Sequence, residues 1–211
     1  MPLHIPDAPT AALTTLSSVL PNLVTRPGVA AAMPQALSAV RQGQTNPSTT
    51  GTIALGAALR PSLSARGFVL GLDAIADGRG LATAQMVVWT HLLGGTATQT
   101  LSVDTTAGTD RFAQLVDGPH AAAVQQELAS LQADPAIARG SYDLALLRVP
   151  ALFTVAIWLQ DKAGHADLIV PVAPADPALQ PGRRYSPADF IAAARPSAVR
   201  KLADTGPAKG G

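Results

Sequence analysis

The feature that most constrains this fold is the apolar stretch from residue 148 to residue 174, RVPALFTVAIWLQDKAGHADLIVPVAP. A transmembrane helix needs roughly 20 consecutive apolar residues. Only the eleven residues 149–159 separate Arg148 from Gln160, and one of them is Pro150. Because this run is too short to cross a membrane, we expect no integral membrane segment here.

The same stretch has the pattern of a β-hairpin inside a folded core. The four residues Asp161 to Gly164 form a polar connection that ends in glycine, which suits a hairpin loop. The run before it is apolar on both faces, as expected for a central strand. The run after it contains Pro171, which cannot donate a ladder hydrogen bond and favours an edge. The sequence therefore predicts a core hairpin with strands at about 151–160 and 165–172.

The rest of residues 51–205 predicts an α+β body, a mostly antiparallel sheet packed by helices. Leu101 and Val103 alternate with polar residues, which is typical of a strand. The segment TDRFAQLVD (109–117) is predicted to be helical, as is HAAAVQQELASLQ (120–132). A strand is favoured for YDLALLRV (142–149). For residues 81–93, helix and strand fit the pattern equally well.

The segment YSPADF (185–190) carries the clearest helix start in the chain. Ser186 is the expected N-cap, Pro187 suits the first helical position, and Asp189 completes a capping box with a shorter acid. We expect Pro196 to restart this helix. The apolar residues expected to face the sheet are Phe190, Ile191, Val199 and Leu202. Residues 206–211 are predicted to form a disordered tail.

Residues 1–50 are predicted to form an N-terminal helical arm. In the first helix, Asp7 is the expected N-cap and Pro21 the expected stop. In a second helical stripe the apolar residues recur at helical spacing. The apolar residues of the two stripes that we expect to contact a partner are Leu13, Leu16, Leu20, Val29, Met33 and Leu37.

The arm has an unusual charge deficit. Asp7, Arg26 and Arg41 are the only charged residues in its sequence. A helix on the surface of a monomer normally carries charges on its outer face. Surfaces made of Ala, Ser, Thr, Gln and Pro are suited to burial against another protein chain. Packing of the arm on its own body is the alternative, since low charge can follow from the composition of the whole chain.

Composition excludes several chemistries and one class of partner. The chain has no cysteine, which excludes disulfides, cysteine-ligated metals and thiol nucleophiles. Its formal net charge is +1, and charged residues are 14% of the chain, against about 25% in an average domain. Arg183 and Arg184 form a tight basic cluster. With no basic stripe and no stacking platform, we expect no nucleic-acid binding. No secretory signal pattern is evident, so a cytoplasmic location is expected.

Motifs for catalysis are absent from the sequence. The four histidines, His4, His91, His120 and His165, lack the short spacings of metal ligands. We expect His91, which follows VVWT, to be a hydrogen-bonded interior residue. There is no G-x-S-x-G elbow, P-loop or dinucleotide fingerprint. We therefore predict no cofactor, no metal site and no local catalytic motif.

These observations favour a non-enzymatic interaction or assembly protein. In this hypothesis the arm binds another protein or a second copy of the chain. Two alternatives remain open. One is a binding module for a small apolar ligand, with a cavity near Trp89 or Trp158. The other is a hydrolase whose Ser, His and Asp come from distant parts of the sequence.

Overall fold

The computed structural model describes residues 3–25, 61–94, 100–106 and 111–205. Within them lie eight strands and five helices. The strands are β1 (Leu3–His4), β2 (Pro61–Val69), β3 (Gln85–Gly94), β4 (Thr100–Thr106), β5 (Phe112–Asp117), β6 (Tyr142–Val149), β7 (Thr154–Asp161) and β8 (Leu168–Pro171). The helices are α1 (Thr10–Val24), α2 (Leu72–Ala76), α3 (Pro119–Ala133), α4 (Pro135–Ala138) and α5 (Pro187–Thr205). None of these helices is both long and apolar enough to cross a bilayer.

The eight strands form a mostly antiparallel sheet, which confirms the predicted α+β class. The hydrogen-bonded order is β5-β4-β3-β2-β6-β7-β8, and β1 pairs with β6 outside this path. The pairs β3–β4, β4–β5, β6–β7 and β7–β8 are antiparallel, whereas β1 and β6 are parallel.

The predicted core hairpin is confirmed as β7 and β8. Trp158 pairs with Ile169, and Ala156 pairs with Pro171 at the end of β8. Because β8 is the last strand in the order, Pro171 lies on an edge strand, where its missing N–H costs least. The first strand begins later than predicted, because Pro150–Leu152 form a 3-10 turn.

The chain folds as two compact units. The first comprises residues 1–5, 67–87 and 123–211, and the second comprises residues 6–66 and 88–122. In the first unit the core lies between helices α2 and α5 and one face of β6 and β7. The opposite face of these strands is also fully buried, through Leu144, Leu146, Ile157 and Leu159. Burial of both faces explains why this stretch is apolar throughout.

In the second unit, α1 packs on β4 and β5. The helix begins at Thr10 after Pro9 and continues past Pro21, so the predicted cap at Asp7 and stop at Pro21 are wrong. A proline in a helix removes one backbone hydrogen bond. Burial of the neighbouring Leu20 and Leu23 accompanies the continuation of the helix through that position.

The sheet corrects one further prediction and decides one segment that the sequence leaves open. Residues 112–117 form strand β5 rather than a helix, because they complete the sheet beside β4. Residues 81–83 form a 3-10 turn, after which β3 begins at Gln85. Helix α3 and strand β6 agree with the sequence analysis.

Helix α5 starts as the sequence predicts. The backbone N–H of Asp189 donates to Ser186 Oγ over 3.1 Å, and that hydroxyl donates to Asp189 Oδ2 over 2.7 Å. The helix continues through Pro196 as one element, so the expected restart is wrong. Phe190 and Ile191 are buried as predicted, but Val199 and Leu202 are 49% and 38% exposed and do not face the sheet.

Candidate functional site

The residues predicted to contact a partner have different positions in the structure. Leu16 and Leu20 are buried within the chain, on the helix face directed at β4 and β5, and Leu13 is half-buried. Val29, Met33 and Leu37 lie outside the described residues. Since Leu16 and Leu20 are already covered by the chain itself, other residues must provide any free apolar surface within the described ranges.

A polar cluster in the second unit is centred on His91. Its Nδ1 lies 2.9 Å from Ser64 Oγ on β2, and its Nε2 lies 3.3 Å from Thr105 Oγ1 on β4. His91 and Thr105 are both fully buried. Burial lowers the pKa of His91 to about 4, although the charge of Asp104 acts in the opposite direction. The imidazole is therefore neutral at pH 7, and it links three strands through hydroxyl groups.

The Ser64–His91 contact brings together two members of a possible Ser-His-Asp site, but Asp104 does not complete it. Asp104 pairs with Thr90 in the β3–β4 register, and neighbouring residues of a strand point to opposite faces. Asp104 therefore lies on the face opposite to His91, where it accepts a hydrogen bond from Gln114 Nε2 over 2.7 Å. A buried imidazole with both nitrogens engaged is poorly placed to activate a serine for a substrate.

Other histidines take part in ion pairs. His4 Nδ1 and Lys162 Nζ each lie 2.8 Å from a different oxygen of Asp143. Burial opposes ionisation of Asp143, but the hydrogen bonds from Lys162 and His4 outweigh it and lower the pKa of Asp143. His165 lies 3.6 Å from Asp161. In the described ranges, no group of three or more His, Asp or Glu side chains is arranged to hold a metal ion.

Both tryptophans are buried. Trp89 and Trp158 are 6% and 8% exposed. Trp158 packs edge-on against Phe68, with ring centroids 5.1 Å apart, and donates its Nε1 proton to Asp167 Oδ2 over 2.8 Å. A groove of about 370 Å³, which we call the α5 groove, lies elsewhere. Its lining residues are Gly78, Gly80, Pro187, Ala188, Ile191, Ala192 and Arg195.

The most unusual residue of the described chain is Phe153. Its backbone has φ 52° and ψ 34°, in the left-handed region, and the residue is 79% exposed. It is the one non-glycine residue with positive φ in the described ranges. For a bulky L-residue this conformation costs roughly 1–2 kcal/mol. The left-handed backbone of Phe153 therefore lowers the stability of the fold at a residue whose aromatic ring is exposed to solvent.

Buried hydrogen bonds hold the segment beside Phe153 in place. Thr154 Oγ1 donates to Leu152 O over 3.0 Å and accepts the backbone N–H of Asp176 at 3.0 Å. Asp176 Oδ1 accepts the hydroxyl of Ser197 on α5 at 2.8 Å. Because Thr154 and Ser197 are 2% and 4% exposed, these bonds are partly shielded from water. They fasten the start of β7 to α5 and support the strained residue.

The sequence contains little that would have identified Phe153. Left-handed positions are normally marked by glycine or asparagine, and neither occurs in PALFTV. Pro150 signals a local break, but it does not specify which following residue adopts positive φ. The apolar pattern therefore predicts that Phe153 belongs to the first strand of the hairpin, at about 151–160.

Comparison with known proteins gives no match to this chain, whether to a protein-family model, to a curated protein or to a solved structure.

Proposed function

We propose that this protein is a non-enzymatic interaction protein that binds another protein through a surface centred on Phe153. The observation that carries the proposal is the combination at this residue of positive φ and 79% exposure. Strained backbone persists where the surrounding structure enforces it, and it concentrates at functional sites. Aromatic side chains, phenylalanine among them, are also enriched at the buried centres of protein interfaces.

The surroundings of Phe153 extend the apolar character of this surface. Pro150 and Ala151 in the preceding turn are also exposed, whereas Leu152 is buried. Burying the exposed ring of Phe153 against a partner would contribute about 2 kcal/mol, roughly a thirtyfold gain in affinity. The proposed contact surface therefore lies at Phe153 and not on the N-terminal helix, where Leu16 and Leu20 are buried.

A hydrolase is supported less well by the same geometry. His91 is fully buried and Asp104 lies on the other face of the sheet, so Ser64, His91 and Asp104 do not form a catalytic triad. For a small apolar ligand, the α5 groove is a candidate site, and neither tryptophan lines it. The interaction hypothesis therefore uses the feature that neither alternative explains.

The proposal is tested by purifying the tagged chain from the cells that produce it, as the native sequence, as Phe153→Gly and as Ala163→Ser. Glycine accepts positive φ without strain, so Phe153→Gly removes the ring and keeps the fold. Ala163 is exposed in the β7–β8 turn, at the other end of β7. We expect a co-purifying protein to be retained by Ala163→Ser and reduced at least tenfold with Phe153→Gly. Equal recovery with both variants, measured by quantitative mass spectrometry, would refute the proposal.

A further inference from the structure

Helix α5 carries an exposed face with the spacing of a coiled-coil interface. Five of its exposed residues recur at intervals of 4, 3, 4 and 3, the pattern of core positions in a heptad. They are Ala188, Ala192, Arg195, Val199 and Leu202. The buried face of the same helix, with Phe190, Ala194 and Ala198, contacts the core of the first unit. Helix α5 therefore has one face covered by its own unit and a second face of helix-packing type.

The N-terminal half of this face is a hole. Ala188 and Ala192 are small, and the α5 groove of about 370 Å³ lies between them and the turn that carries Gly78 and Gly80. A Cβ atom placed on either glycine would meet no atom within 4 Å, so the space beside the helix is open. Small residues allow another helix to approach closely.

The C-terminal half carries the matching knobs. Val199 is 49% exposed and Leu202 is 38% exposed, and they are two of the four large apolar residues with this degree of exposure in the described ranges. Both belong to the apolar pattern of the helix, yet the sheet does not cover them. A protrusion and a hole thus occupy opposite ends of the same helix face.

We propose that α5 packs antiparallel against α5 of a second copy of this chain. A two-fold axis near residue 195 places Val199 and Leu202 of each copy in the α5 groove of the other. The same contact is therefore made twice, as in other symmetric dimers. The antiparallel arrangement is also electrostatically favourable. It brings the exposed Asp189 end of one helix toward the exposed Arg200 and Lys201 of the other, and it places the two helix dipoles antiparallel.

Arg195 lies at the centre of this face. Its Nε donates to the carbonyl oxygen of Ala76, near the end of α2, over 2.8 Å. This bond ties the guanidinium to its own unit instead of leaving it free to fill the α5 groove. A polar residue at one core position is a known means of fixing register at some cost in stability.

The proposed dimer is independent of the Phe153 surface and is tested on the purified full chain by sedimentation velocity. We expect twice the mass of one chain for the native protein, and for Ala163→Glu, which adds a charge in an exposed turn. Leu202→Glu and Val199→Glu should shift the dissociation constant at least a hundredfold toward monomer. Since both residues are exposed, circular dichroism should show an unchanged fold. A native protein that is monomeric at about 100 µM, on the order of ten times the Kd of a weak interface, overturns the proposal. A dimer whose dissociation constant these variants leave unchanged overturns it as well.

Orientation is tested by cysteine pairing, for which the cysteine-free sequence provides a clean background. Ala188→Cys and Ala203→Cys are made in separate chains, mixed, and treated with a bismaleimide whose spacer is about 10 Å. An antiparallel pair brings residue 188 near residue 203 of the other copy, whereas a parallel pair separates them by about 22 Å, at about 1.5 Å rise per residue. We expect cross-linking in the mixture and little in either variant alone. Efficient cross-linking of each variant with itself would indicate a parallel pair and contradict the proposal. Phe153→Gly should change neither result, so the two proposals fail separately.

Discussion

Ser197 on α5 donates its hydroxyl to Oδ1 of Asp176 across 2.8 Å, and this bond joins the long C-terminal helix to the segment beside Phe153. The same carboxylate oxygen accepts the backbone N–H of Ala178 at 2.9 Å, while the backbone N–H of Asp176 donates to Thr154. Asp176 therefore connects α5 to the start of β7 through two half-buried hydrogen bonds.

Removing one of these bonds should destabilise the protein. We expect Ser197→Ala to lower the free energy of unfolding by about 1–2 kcal/mol, because the half-buried carboxylate of Asp176 loses the hydroxyl donor of the buried Ser197. Ser18→Ala is the matched control, since the Ser18 hydroxyl bonds an exposed helix carbonyl, and it should change stability by less than about 0.5 kcal/mol. Urea unfolding followed by circular dichroism measures both. Equal effects of the two substitutions would contradict the role assigned to Asp176.

The strain at Phe153 predicts an unusual order of stabilities. Phe153→Gly and Phe153→Ala both remove the ring, but alanine keeps the unfavourable left-handed backbone and glycine relieves it. We expect Phe153→Gly to be more stable than Phe153→Ala by about 1 kcal/mol. Elsewhere on the surface the reverse order is normal, because glycine has more freedom in the unfolded chain. Thermal melts that rank alanine above glycine would show that residue 153 does not need positive φ.

Burial of His91 predicts a loss of stability in mild acid. Its pKa is about 4 in the folded protein and 6.5 in the unfolded reference. Between these values the unfolded chain binds the proton more readily, so the stability that is fully present above pH 6.5 decreases as pH falls toward 4. We expect a loss of about 2 kcal/mol between pH 7.5 and pH 4.5 from this residue.

His91→Gln should remove most of that pH dependence and His165→Gln, whose side chain is 77% exposed, should retain it. Denaturant titrations at the two pH values test the prediction, and an NMR titration of the His91 ring provides a direct check on the native chain. A His91 ring that titrates near pH 6.5 would contradict the burial argument. Asp143 and Asp161, whose pKa values are lowered, act in a more acidic window below about pH 4 and do not confuse the result.

The capping box at the start of α5 predicts a measurable contribution to stability. Ser186→Ala removes the acceptor for the Asp189 N–H, and we expect a loss of about 1 kcal/mol. Ser186→Asp keeps an acceptor at the same position and should restore most of it. Chemical denaturation measures the free energy of unfolding of the native chain and the two variants. An alanine variant as stable as the native chain would exclude a role for the cap.

The parts of the fold that could be predicted from the sequence are those fixed by local pattern. The β7–β8 hairpin follows from two apolar runs around a polar loop, and the start of α5 follows from Ser186 and Pro187. Residues 112–117 were wrongly predicted to be helical because their strand conformation comes from pairing with β4, a contact that local propensity does not record.

The candidate surfaces were harder to predict for the same reason. Val199 and Leu202 continue the apolar pattern of α5, and only the extent of the sheet determines that they remain exposed. Phe153 has positive φ beside a hydrogen bond between Thr154 and Asp176, two residues that are distant in sequence from each other. The sequence pattern did anticipate that His91 would be an interior residue with hydrogen-bonding partners.

The most direct test of the proposed function is site-specific photo-cross-linking in living cells. A benzophenone-bearing phenylalanine is incorporated at residue 153 or, as the control, at exposed residue 163 at the far end of β7. We predict one discrete adduct at residue 153, identified by mass spectrometry as a protein, and none at residue 163. The absence of any adduct at residue 153, or the same adducts at both positions, would contradict the account.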